Sequence, residues 1–182
     1  YEDFNGDGRL TGEDQYRIGY ATKPLINYGI IANFNYKGFG LNILFQGAGE
    51  RDIPIDRNMW NYNYLSRYDY QLDYWREDNQ GAKFPRIVSS QSVNGNNNLM
   101  PSEAWTFNGS YFRLKSLIFS YDLKYSLLKN TNWLNICRLS LTGQNLFTLS
   151  EATKYGIDPE VSNIYNVYPI ERVIGINLNL GF

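Results

Sequence analysis

A chain of 182 residues is long enough for one domain with a sizeable core, and its single cysteine, Cys137, excludes an intramolecular disulfide framework. The net charge of −1 supplies no basic footprint for nucleic acid and no polybasic run for anionic lipid. The absence of histidine removes the commonest general base, the commonest zinc ligand and the usual activator of a Ser or Cys nucleophile. The chain does not open on a basic stretch followed by an apolar one, so an unprocessed secretory precursor is not expected. No apolar run reaches the ~18 residues of a transmembrane helix, whereas a transmembrane β-strand needs only about 9–11.

Residues 1–27 are expected to be a connecting segment. Within it Asp3, Asn5, Asp7, Gly8, Arg9, Thr11 and Asp14 follow the spacing D-x-N-x-D-G-x-x-T-x-x-D of an EF-hand-type calcium loop. In such a loop the side-chain oxygens of Asp3, Asn5 and Asp7 converge on one cation, Gly8 allows the sharp turn, and Arg9 offers its carbonyl. Asp14 stands where glutamate is usual, and its shorter side chain weakens bidentate closure. The competing reading is a metal-free turn, since Asn, Asp and Gly build turns unaided.

Residues 28–46 form a predicted hairpin. Tyr28, Ile30, Ala32, Phe34 and Tyr36 alternate with polar neighbours, then Phe39, Leu41, Ile43 and Phe45 do the same, and only Lys37-Gly38 separates the runs. Residues 47–110 form the longest connection. It carries Trp60, Tyr62, Tyr64, Tyr68, Tyr70, Tyr74 and Trp75, aromatic faces suited to stacking on sugar rings or gripping a peptide. The bland alternative is that these rings make the loop's own small core, because a segment of that length must bury something to stay ordered.

Residues 111–149 hold two further strands. In 111–121, Phe112 and Leu114 fall on one parity but Leu117, Phe119 and Tyr121 on the other, which a β-bulge near Lys115-Ser116 reconciles while leaving Arg113 and Lys115 facing water. In 137–149, Leu139, Leu141, Phe147 and Leu149 oppose Arg138, Ser140, Thr142, Gln144 and Thr148. A connection over 150–169 leads to a final strand, 170–182. There Ile170, Arg172, Ile174, Ile176, Leu178, Leu180 and Phe182 share one face opposite Asn177 and Asn179.

Alternation alone fits either the core of a soluble sandwich or a lipid-facing wall. Connection length favours the wall: Lys37-Gly38 and the medium segment 122–136 fall at one end of the strands and the long segments at the other, as in outer-membrane barrels. Tyr28, Tyr36, Tyr111 and Tyr121 near strand ends then suit an aromatic girdle. Five strands cannot close a transmembrane lumen, because the smallest such barrels use about 8.

Motifs along essentially the whole chain resemble the C-terminal region of the SusC/RagA family of TonB-dependent outer-membrane transporters. They are Asp3-Phe4-Asn5-Gly6-Asp7-Gly8, Tyr36-Lys37-Gly38-Phe39, Phe45-Gln46-Gly47, Trp75-Arg76-Glu77-Asp78-Asn79, Ala82-Lys83-Phe84-Pro85-Arg86, Tyr111-Phe112-Arg113-Leu114-Lys115-Ser116-Leu117, Gly143-Gln144-Asn145-Leu146-Phe147 and Asp158-Pro159-Glu160. The resemblance implies an all-β fold in which this chain supplies the last strands of a 22-stranded antiparallel barrel, with 1–27, 47–110 and 150–169 as extracellular loops and 170–182 as the closing strand. It further implies the outer membrane of a Gram-negative, Bacteroidota-type bacterium, and uptake of oligosaccharides (glycans) or peptides. The implied partners are the plug and earlier strands of the same transporter, TonB acting through that plug, a SusD-like surface lipoprotein, and outer-membrane lipid. Phe182 is implied to form part of a barrel-assembly signal.

Two rival classes stay open: a soluble all-β carbohydrate-binding module, and an all-β glycan hydrolase using Glu77-Asp78 or Asp158 with Glu160 as its two acids. Adjacency in sequence does not establish that geometry, and no enzymatic activity is expected.

Overall fold

The computed structural model describes residues 2–55, 68–87, 98–161, 168 and 170–182. The chain divides into two compact units, one formed by residues 1–23 with 51–108 and the other by 24–50 with 109–182.

The larger unit is a sheet of five antiparallel strands. Strand β1 (Ile26–Tyr36) and strand β2 (Phe39–Gly49) are joined by the expected two-residue turn, with φ of 46° at Lys37 and 85° at Gly38. Two positive φ values make a type I′ turn, whose twist matches that of the flanking strands and for which glycine is the cheapest second residue. β2 continues three residues beyond the expected Gln46 because Gly47, Ala48 and Gly49 still find partners in Tyr28, Asn27 and Ile26. Two three-residue strands of the smaller unit, β3 (Asp52–Pro54) and β4 (Thr106–Asn108), come next in the chain. The sheet is completed by β5 (Tyr111–Asp122), β6 (Ile136–Ser150) and β7 (Val173–Gly181), in the order β1-β2-β5-β6-β7. β7 starts at Val173 rather than Ile170, where pairing with Gln144 begins.

The sheet's two faces differ sharply. One row crosses all five strands as Phe34, Leu41, Phe119, Leu141 and Ile176; the next runs Ala32, Ile43, Leu117, Gly143 and Ile174; a third runs Tyr36, Phe39, Tyr121, Leu139 and Leu178. The opposite face carries Asn33, Asn42, Ile118, Thr142 and Gly175 in one row, and Asn35, Gly40, Ser120, Ser140 and Asn177 in another. The apolar side chains are not a core: Phe34 is 61% exposed, Leu141 50% and Ile176 75%.

The irregularity in β5 is a pair of bulges. Between Leu114 and Ser116 the register skips Lys115 on both sides, and on β6 it skips Asn145 and Leu146. Lys115 and Ser116 therefore both lie on the polar face, which explains the change of parity in the apolar residues. Asn145 takes φ 52°, in the left-handed region that Asn tolerates better than most residues.

Both short connections, Lys37-Gly38 and the segment between β5 and β6, lie at one end of the sheet. The chain enters β1, leaves β2, enters β5, leaves β6 and enters β7 at the other end. The outer edges of β1 and β7 have no strand partner among the described residues, so the sheet is open.

The smaller unit holds a compact aromatic core. β3 pairs with β4 so that Ile53 faces Phe107, and Ile53, Phe84, Trp105 and Phe107 are almost wholly buried. Phe84 stacks on Trp105 at 6.1 Å and meets Phe107 edge-on at 6.2 Å.

Candidate functional site

The sheet's two faces and the charged cluster on one of them are the features with chemical consequence. Neighbouring strands bring apolar side chains into register across the whole width, a contiguous exposed apolar face of the kind that marks an interaction surface. Its ends carry rings. At the short-turn end Tyr36, Phe39, Tyr125 and Phe182 are exposed, and Trp133 stacks on Phe182 with centroids 5.8 Å apart. At the other end the Tyr28 ring lies over Gly47, and its hydroxyl donates to the Tyr111 carbonyl at 3.1 Å.

Tyr111 departs from the expected girdle. It is buried on the polar face, where its hydroxyl accepts from Gln46 at 3.4 Å, because its register partner Ala48 belongs to that side of β2. Arg113 likewise does not face water. Its guanidinium donates to Asp158 Oδ1 at 2.8 Å and to Thr148 Oγ1 at 2.8 Å, and lies 3.2 Å from Glu160 Oε2. Lys115, delivered to the same face by the bulge, reaches Glu160 at 3.0 Å. The Arg113 side chain is 3% exposed, Asp158 12% and Glu160 16%. Two cations and two carboxylates thus cancel on the polar face.

Three of the four candidate acids of the hydrolase reading hold a basic partner. Asp158 and Glu160 hold Arg113 and Lys115, while Asp78 sits on an exposed turn 3.2 Å from Arg76. A cavity of about 280 Å³ opens beside the cluster, lined in part by Asn145, Thr148, Thr153 and Arg172. This four-charge cluster was not foreseen from sequence. The signal present was the shared parity of Arg113 and Lys115 and the matching spacing of Asp158 and Glu160.

Of the aromatic candidates, Trp60, Tyr62 and Tyr64 lie outside the described residues. Tyr70 serves the core of the smaller unit, with its ring 6.1 Å from both Phe84 and Phe107. Tyr68 stacks on Tyr70 at 5.5 Å and remains 43% exposed, and Trp75 is 39% exposed. Tyr68 and Trp75 are therefore the described rings of that group with a free face.

In the calcium-like segment the oxygens bind the loop's own amides. Asp3 accepts from Gly6 and Gly8 at 2.7 and 2.8 Å, Asn5 from Asp7 at 2.9 Å, and Asp7 from Arg9 at 2.7 Å. Asp14 accepts from Thr11 at 2.7 Å and Phe4 at 3.0 Å, while Thr11 caps a single 3₁₀ turn. Among the described residues no three acidic, cysteine or histidine groups gather as a metal site.

No family model matches the chain. Two TonB-dependent receptors of Formosa agariphila align with all of it, at 29% and 28% identity. This chain is similar to the TonB-dependent receptors. It spans 19% of the length of each of those curated relatives. The fold is also that of part of the RagAB peptide transporter, with a TM-score of 0.69 at 23% identity over 96% of this chain and 19% of the other. The RagAB peptide importer in its closed-closed state matches similarly, with a TM-score of 0.68 at 23% identity over 97% of this chain and 20% of that one. These relatives are named as receptors and transporters, not as enzymes.

Proposed function

We propose that this chain forms part of the wall of an outer-membrane passage for TonB-dependent nutrient uptake, as the C-terminal strands of a barrel completed by the remaining length its relatives possess. The observation that carries this reading is the apolar face spanning five strands, whose side chains stay exposed in rows. Strands of 9–15 residues are long enough to cross the hydrocarbon layer, which needs about 9–11. Exposed rings at the short-turn end suit the headgroup level, and the Asn-, Ser- and Thr-bearing face suits a hydrated lumen.

The cargo is a hydrophilic oligosaccharide or peptide, captured with a SusD-like lipoprotein. The relation to TonB-dependent receptors and the RagAB fold support import, and the name of the latter favours peptide. The test is depth-dependent quenching in the intact protein reconstituted into vesicles with brominated lipid. A tryptophan at position 176 (Ile176→Trp) should be quenched strongly and one at position 177 (Asn177→Trp) weakly. Equal quenching at both positions overturns the wall assignment.

A further inference from the structure

Segment 151–161, which follows β6, is held unusually firmly for a connection. Ala152 and Pro159 are fully buried and Ile157 nearly so. A 3₁₀ turn over Ala152–Tyr155 ends at Gly156 with φ 70°, and Ile157 N–H donates back to Ala152 O at 3.1 Å. Ser150 and Thr153 tie the near end through Ser150 Oγ to Ser110 O at 2.9 Å and Thr153 Oγ1 to Ser150 O at 2.7 Å. The far end is pinned by the four-charge cluster, whose strand-borne members, Arg113 and Lys115, stand two and four positions inside β5 from Tyr111. The segment therefore turns back along the polar face instead of continuing outward from the strand end.

We propose that segment 151–161 is a fixed constriction strap, narrowing the passage whose wall the sheet provides; this rests on the wall reading above. Three features separate it from an ordinary loop. It carries apolar anchors, a reversal that needs a left-handed glycine, and a guanidinium so desolvated that releasing the strap would strand it without its carboxylates. Because Arg113, Lys115, Asp158 and Glu160 cancel, the strap's base has no net sign. The constriction discriminates by the size of a hydrophilic solute more than by its charge.

The experiment uses the intact transporter containing this chain, in whole cells, with Cys137→Ser as background and cysteine placed at the exposed Lys154 position (Lys154→Cys). A small membrane-impermeant maleimide should label this position readily and a polymer-linked maleimide should not. Adding Asp158→Asn with Glu160→Gln removes the cluster's anionic half with little change in shape. The polymer reagent should then react about tenfold faster or more, since losing a partner of a buried ion pair is a large perturbation. Asp122→Asn, a carboxylate near the other end of the sheet, should leave labelling unchanged. Equal labelling by both reagents in the parent overturns the strap, as does unchanged labelling after both substitutions. Ile176→Cys separates the two proposals: rapid labelling there by the impermeant reagent overturns the wall reading itself, whatever Lys154→Cys does.

Discussion

Tyr28 and Gly47 form a cross-strand pair in which the ring occupies the space a Cβ would take on its neighbour. Gly47→Val should destabilise the protein by about 1–3 kcal/mol through overpacking, and Tyr28→Leu in the same background should recover part of it. The temperature at which the purified protein changes from folded to unfolded gel mobility measures both. In the calcium-like segment the Asp14 carboxyl is held below its ordinary value, chiefly by the Thr11 amide. The sign follows: its contribution to loop closure is present above the unfolded value near 3.8 and is lost as pH falls through the lower folded value. Exchange of the Thr11 amide should therefore accelerate only at strongly acid pH, and Asp14→Asn should abolish that dependence. If the segment takes calcium, Asp3→Asn with Asp7→Asn should remove a calcium-dependent thermal shift; a parent without such a shift refutes calcium there.

At the scale of elements, the five strands were legible because apolar and polar side chains alternate between the sheet's two faces, which keeps a two-residue period, and the bulge showed as a change of apolar parity at Lys115. The cluster was much less legible. Arg113 and Asp158 are 45 positions apart, and sequence alone gives a surface-polar reading for each. The core of the smaller unit was hidden for a different reason: β3 and β4 have three residues each, too few for a period, and are separated by more than fifty residues of chain. The prediction at this scale concerns the faces of β7. Ile176→Arg should cost about 2–4 kcal/mol if that position lies at mid-membrane, while Asn177→Arg, one residue away on the polar face, should cost far less. Urea-induced unfolding in lipid vesicles compares them, and equal costs would refute the face assignment.

For the whole molecule, outer edges of β1 and β7 that have no strand partner among the described residues, together with the bare apolar face, are not a stable arrangement in water. The 182-residue chain expressed alone should remain aggregated or need detergent. Co-expression with the remaining portion of the proposed barrel should yield a heat-resistant species in the membrane fraction. Sedimentation and gel mobility distinguish these outcomes, and a monodisperse monomer of the isolated chain without detergent would contradict the wall. That the sequence disclosed the two faces of the sheet but not the charged cluster that holds segment 151–161 is a matter of range: alternation is local, whereas the cluster depends on side chains meeting across long separations in sequence.

The paired bulges bear on the size of whatever this sheet completes. Relative to its neighbour β2, β5 carries one extra residue at Lys115, and β6 carries another relative to β5 at Asn145-Leu146. Each slides the later strand along the earlier one, so the stagger accumulates across the sheet. In a closed cylinder, stagger and strand number together fix the tilt of the strands and hence the bore. Restoring plain alternation by deleting Lys115 together with Asn145 and Leu146 would remove both offsets, and the expected result is a barrel of altered circumference or one that fails to close.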